Sequence, residues 1–335
     1  MELFAPDIDS NPVNAPAGPI AAEMIVASGP PQRDGTSPQF RIPIRLSNGT
    51  DFDTFCCFRS RSEAIPTGRD VADMRAFAAL VGRFIQEGFE RTCERSALRA
   101  KLREVIDGER IAMLFQPAVR IDRPGIAFVE ALARFPGLEP ALPSPWFEAA
   151  HRVDLGAELE LLAFDKALAS LPELAEGAVL SVNMSPATLL KPAMRDRLAG
   201  APAERLIIEI TEHRPVEDYA ALADVLRPAR ERGLKVAVDD AGAGFASLRH
   251  ILVLRPDLIK LDMSLSTGIE RDPARRALAA AMMSFAGSIG AELVAEGVER
   301  AAELSALRAL GIPIVQGHLC GYPGPVGAAT EAAVA

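Results

Sequence analysis

The chain has 335 residues, 45 of them acidic and 36 basic, a formal net charge of −9, and 49% hydrophobic against 24% charged residues. That length suits one large domain plus a smaller one, and that balance suits a soluble globular enzyme. The acidic excess argues against affinity for a nucleic-acid polymer, which needs clustered Lys and Arg, but not against a small phosphorylated substrate, because bound divalent cations reverse the sign of a site locally.

Residues 1–38 are rich in Pro, Gly, Ala and Ser and are expected to form a flexible arm. The arm has no basic stretch leading into an apolar core, so no signal peptide is predicted, and no apolar run is long enough to span a membrane. Cys56, Cys57, Cys93 and Cys320 form no C-x-x-C pair, and His151, His213, His250 and His318 lack zinc-ligand spacing. A reducing, cytoplasmic setting is the expectation.

Two strand-like runs follow, Phe40 to Leu46 and Asp51 to Phe58, with Asn48-Gly49 between them as a hairpin turn signal. After Pro66 a long helix is predicted to about Asp107, because Val71, Met74, Phe77, Ala78, Val81 and Phe84-Ile85 recur at helical spacing. From Arg110 short aliphatic runs alternate with helical segments. The runs are IAMLFQ, IAFVEAL, AVLSVN, RLIIEIT, LKVAVDD, DLIKLD, AELVAEG and IPIVQG. Nearly continuous apolar strands are buried on both faces, and eight of them separated by helices predict an α/β fold, a TIM-like (β/α)8 barrel.

The runs end in polar groups, among them Asn183, Glu209, Asp239-Asp240, Lys260, Glu296 and Gln316. In a barrel the C-terminal strand ends share one mouth, where carboxylates would repel each other unless cations joined them. Glu130, Asn183, Glu209, Asp239, Asp240 and Glu296 are all oxygen donors, a set that favours Mg²⁺ or Mn²⁺ over zinc. Two such ions could clamp a phosphodiester and activate a water, with Lys260 beside that water or the phosphoryl oxygens and Gln316 orienting water or substrate. Singly, each residue has a plain structural reading: Asp239-Asp240 as a helix cap, Lys260 as a rim ion pair, Asn183 as a cap of the next helix. Those readings do not explain why so many strands end in a metal-compatible group. Trp146 and the Met282-Met283 pair read as packing residues, Cys56-Cys57 as a buried strand pair, His318 as a packed or hydrogen-bonded rim residue, and His213 and His250 as surface residues.

VEALARF around Glu130 resembles the signature of the EAL family. It is accompanied in the family's order by FQPAV at Phe115, VNMSP at Val182, EITE at Glu209, DDAGAGFASL at Asp239, IKLD at Ile259, AEGVE at Ala295 and QGHLCGYP at Gln316. The resemblance covers residues 99–331. It implies hydrolysis of cyclic di-GMP to linear pGpG with two Mg²⁺ or Mn²⁺ ions per site. It also implies metal ligation by the six oxygen donors, water orientation by Lys260 and Gln316, substrate contacts from Gln116, Leu132 and Arg134, and a loop-steadying role for Glu212. The loop departs from the commoner DDFGTGYSS, with Ala241 for an aromatic residue and Ala243 for Thr. Residues 39–98 resemble the C-terminal half of a GAF sensor domain, and the family resemblance implies a homodimer. Two readings stand for the helix stripe: association of two copies through Phe77, Val81 and Phe84, or packing on the local hairpin. The rival functions are a cyclic di-GMP receptor without turnover, disfavoured because no ligand is lost, and a different metal-dependent barrel enzyme.

Overall fold

The computed structural model describes residues 37–47, 49–59, 68–210, 218–241 and 245–330. The chain divides into two compact units, Met1–Ala100 and Lys101–Ala335.

In the first unit, β1 (Ser37–Arg45) and β2 (Asp51–Arg59) pair antiparallel, and α1 (Gly68–Asp107) follows, its residues from 101 onward counted with the second unit. The turn closes through bonds from Gly49 N–H to Leu46 O and from Leu46 N–H to Thr50 O, each 2.9 Å. Gly49 has φ 83°, the left-handed backbone an Asn-Gly turn demands. Met74, Ala78, Val81 and Ile85 recur every three or four residues and pack on Ile42 and Ile44 of the hairpin. That settles part of the stripe. Val81 packs on the hairpin, whereas Phe77 and Phe84, which flank it along the same side of the helix, are 50% and 63% exposed. The expected arm, residues 1–38, lies almost wholly outside the described residues, as do the side chains of Cys56 and Cys57.

The second unit is a closed eight-stranded barrel. Its strands are β3 (Ala112–Arg120), β4 (Ile126–Arg134), β5 (Leu180–Met184), β6 (Leu206–Ile210), β7 (Lys235–Ala241), β8 (Leu258–Leu261), β9 (Glu292–Ala295) and β10 (Ile314–Gln316). Each predicted run supplies one strand. The helices are α2 (Ser144–Arg152), α3 (Gly156–Ala169), α4 (Pro186–Leu189), α5 (Pro192–Gly200), α6 (Tyr219–Arg230), α7 (Phe245–Leu254), α8 (Met263–Ser266), α9 (Pro273–Ile289) and α10 (Ala301–Ala309). One feature differs from an all-parallel barrel: β3 runs antiparallel to both β4 and β10. Only residues 121–125 join β3 to β4, which suffices for a tight reversal and is too short for a crossover helix.

Strand alternation determines what the barrel encloses. Phe128, Ile207, Ala237, Leu258, Val294 and Ile314 form one buried apolar cluster with Ala118. Each of the six precedes by two residues a polar group on its own strand or, for Glu296, just past the strand's end: Glu130, Glu209, Asp239, Lys260, Glu296 and Gln316. Ala118 pairs with Phe128, and Gln116 with Glu130. The polar layer thus stands on an apolar floor.

His250 is buried on α7, with its ring 5.6 Å from that of Tyr219, so the expected surface position is corrected. The inner side of α7 carries Ile251 and Leu254, and the imidazole is buried with them. His213 lies outside the described residues. Trp146 is fully buried, stacks on Phe135 and donates to Pro140 O at 2.8 Å, as a packing residue should.

Candidate active site

At the mouth the central group is Lys260, with a side chain only 1% exposed. Its Nζ lies 2.5 Å from Glu296 Oε1, 2.7 Å from Glu209 Oε2, 3.3 Å from Glu130 Oε2 and 3.5 Å from Asp239 Oδ1. Burial alone would strip the proton from a lysine, but these four carboxylates outweigh it and hold the ammonium well above its ordinary value.

A single lysine cannot satisfy so many carboxylates. Burial and the neighbouring Glu130 charge push Glu209 well above the usual carboxylate range, against the opposing pull of Lys260. Burial likewise raises Glu296 to about 8, with Asp239 and Glu130 adding repulsion and Lys260 opposing. Glu130 goes the other way. Burial would raise it, but Lys260 and hydrogen bonds from Gln316 and Asn183 more than offset that and hold it low. Those bonds run from Asn183 Nδ2 to Glu130 Oε1 and from Gln316 Nε2 to Glu130 Oε2, both 2.7 Å.

Asp239 and Asp240 are adjacent, and strand alternation would send them to opposite faces. The backbone resolves this. Asp240 adopts φ 53°, a left-handed conformation that Asp tolerates better than most residues, and the β7–β8 register breaks between Val238 and Ala241. As a result Asp239, Asp240 and Glu296 each offer an oxygen, all within 4.8 Å of one another. Asp239 Oδ1 and Gln316 Oε1 are buried acceptors that receive no hydrogen bond among the described residues. An all-oxygen set, excess negative charge and an acceptor left open together fit a hard divalent cation.

Of the expected substrate contacts, Gln116 joins the network: its Nε2 donates to Gly321 O at 3.0 Å, and its Oε1 faces Gln316 Nε2 at 3.4 Å. Leu132 and Arg134 lie two and four residues beyond Glu130 on β4, both half-buried, and Arg134 Nη1 donates to Ala133 O at 2.8 Å. Glu212, Ala243 and the glycines beside Ala243 lie outside the described residues, while Ala241 is fully buried. His318 stacks on Tyr322 at 4.4 Å and pairs with Glu299 at 3.1 Å.

Two supporting groups escaped the sequence reading. Ser181 Oγ donates to Glu209 Oε1 at 2.5 Å, both side chains being fully buried. Glu160 of α3 accepts from Ser185 N–H at 2.9 Å and from Ser185 Oγ at 2.8 Å, just beyond the end of β5, and lies 2.8 Å from His151 Nε2. A hydroxyl two residues before Asn183, at an otherwise apolar position of the repeated pattern, was the available signal for Ser181. Glu160 had none, because its partner lies on another element.

The EAL domain profile matches residues 99–323. The cyclic di-GMP phosphodiesterase RocR of Pseudomonas aeruginosa is 29% identical over 231 residues, 66% of this chain and 59% of RocR. Among solved structures, the manganese/cyclic di-GMP complex of Klebsiella pneumoniae BlrP1 is 28% identical, with a TM-score of 0.58 over 65% of this chain and 57% of that one. A standalone EAL protein of Vibrio cholerae O395, bound to cyclic di-GMP, is also 28% identical, with a TM-score of 0.57 over 64% of this chain and 92% of that one. The chain spans about three fifths or less of the length of the first curated relatives it matches. No described helix is long and apolar enough to cross a membrane. With the profile covering two thirds of its residues, the chain belongs to the EAL domain family.

Proposed function

We propose that the barrel hydrolyses cyclic di-GMP to linear pGpG with two Mg²⁺ or Mn²⁺ ions, and so lowers the level of this second messenger in the cytoplasm. The observation that carries the reading is the surplus of carboxylates around the buried Lys260, with Asp239 Oδ1 accepting no hydrogen bond and only a 3.5 Å ion pair with Lys260. Relatives named as cyclic di-GMP phosphodiesterases, and a similar structure holding manganese and the nucleotide, support the same reading.

Glu130, Asn183, Glu209, Asp239, Asp240 and Glu296 would hold the ions. Bound there, divalent cations would supply Lewis-acid activation and neutralise charge on the phosphodiester. The chain's own groups do the rest. Lys260 keeps an ammonium at the centre of the ligand set, available to a phosphoryl oxygen or the attacking water. Gln316 holds Glu130 through its amide N–H and keeps its own carbonyl oxygen free to orient water. Burial raises Glu296 to about 8, so a cation held there would favour its deprotonated form and cation binding would be coupled to proton release. Gln116, Leu132 and Arg134 would contact the substrate from β3 and β4, and the family resemblance gives Glu212 the role of steadying the loop after Asp240.

The protein is proposed to work as a homodimer through the barrel: Leu252 and Val253, on the helix that follows the Asp239-Asp240 loop, are 64% and 47% exposed. Residues 39–98, the GAF-like hairpin and helix, would regulate the barrel formed by residues 99–331.

Product analysis tests the reaction. Incubation with Mg²⁺ or Mn²⁺ should convert cyclic di-GMP to pGpG. Stoichiometric binding with the nucleotide recovered unchanged would favour the receptor reading instead.

A further inference from the structure

The apolar floor beneath the polar layer has one polar member. Two residues before Glu130, Glu209, Asp239, Lys260, Glu296 and Gln316 stand Phe128, Ile207, Ala237, Leu258, Val294 and Ile314. Two residues before Asn183 stands Ser181, fully buried. A buried hydroxyl costs free energy unless it is bonded, and an alanine or valine would fill a floor position without that cost. Ser181 Oγ makes its hydrogen bond upward, to Glu209 Oε1, while Lys260 takes Glu209 Oε2. Each oxygen of Glu209 therefore has its own anchor, one below and one beside, and the plane of the carboxylate is determined by the two together.

We infer that Ser181 is a positioning residue: its hydroxyl orients Glu209 for cation binding and acts only through that carboxylate. The inference rests on the reading of the site as a divalent-ion centre. Donors behind a metal ligand commonly change metal affinity about 10–100-fold when removed, because an unanchored ligand must be ordered on binding. Ser181→Ala deletes one oxygen atom and leaves the floor otherwise filled, so the chain should fold.

The test is Mn²⁺ affinity of the full chain, read by electron paramagnetic resonance of free Mn²⁺, in wild type, Ser181→Ala, Glu209→Ala, the double variant and Ser181→Thr. Ser181→Ala should weaken Mn²⁺ binding about tenfold where Glu209 is present and leave it almost unchanged where Glu209 is Ala. Ser181→Thr, which keeps the hydroxyl, should recover most of the loss. An equal loss in both backgrounds would overturn the inference and leave Ser181 as floor packing, and so would an unchanged affinity in Ser181→Ala. Wild-type protein that binds no Mn²⁺ would contradict the metal reading itself, and the role of Ser181 with it. Wild-type binding combined with additive losses would contradict the role of Ser181 alone.

Discussion

Two kinds of enclosed carboxylate stand apart in this barrel. Glu303, on α10, is 1% exposed and accepts from the backbone N–H groups of Gly268, Glu299 and Arg300 as well as from the Arg300 guanidinium. Glu160 is similarly satisfied by Ser185 and His151. Burial would raise both, but their partners outweigh it and both are held below the usual range. Glu209 and Glu296, around Lys260, are pushed up instead. The first kind is complete without help and ties loops together. The second lacks positive charge, and a deficit of that kind marks a place built for a ligand.

Removing a carboxylate from each kind should therefore have opposite consequences. Glu130→Ala or Asp239→Ala should lower turnover of cyclic di-GMP by about a hundredfold or more, the scale of losing a key electrostatic group. Asp239→Ala should leave the melting temperature of the ion-free protein unchanged or higher, because repulsion is relieved, whereas Glu130→Ala, which unpairs the donors of Asn183 and Gln316, should lower it. Near-wild-type turnover would remove that residue from the ligand set. Glu303→Ala should do the reverse. Leaving its backbone donors unpaired should cost about 2 kcal/mol of stability in denaturant unfolding. Turnover should stay within about twofold, since its network is separate from the site. A large loss of rate with unchanged stability would erase the distinction.

A smaller effect follows from pH. Glu296 titrates near 8 when folded and near the ordinary 4.5 when unfolded, so between those values the folded chain holds the extra proton. Stability of the ion-free protein should fall as pH rises from about 5 toward 8. Glu209 shifts in the same direction, whereas the stability contributed by Glu130 is gained as pH rises and belongs to the acid side of that window. Saturating Mn²⁺ should flatten the slope, because the ion replaces the proton. Melting curves from pH 5 to 8, with and without Mn²⁺, measure this. A slope that is flat in both conditions would show that the carboxylates at the mouth are not short of positive charge.

Much of this organisation was legible in the sequence. All eight barrel strands were marked by β-branched and aliphatic runs, and four of the carboxylates at their ends lie within 3.5 Å of Lys260. What stayed hidden depended on contacts between elements or on local backbone. The reversal of β3 is encoded in a five-residue connection, 121–125, which run-by-run reading treats as just another loop. The convergence of Asp239 and Asp240 needs the left-handed turn at Asp240, invisible to strand periodicity. His250 follows α7 into the interior although its polarity suggested the surface. Val81 was correctly placed on an apolar stripe, but only packing reveals that it touches the hairpin of Ile42 and Ile44 while Phe77 and Phe84 beside it stay exposed.

The most direct test of the central claim is the rate of cyclic di-GMP hydrolysis by the full chain before chelation, in excess chelator, and after Mn²⁺ is restored. A divalent-ion centre predicts that turnover is lost in chelator and returns with Mn²⁺, with Ca²⁺ unable to replace it because Ca²⁺ is larger and less strict in geometry. Undiminished turnover in excess chelator would contradict the claim.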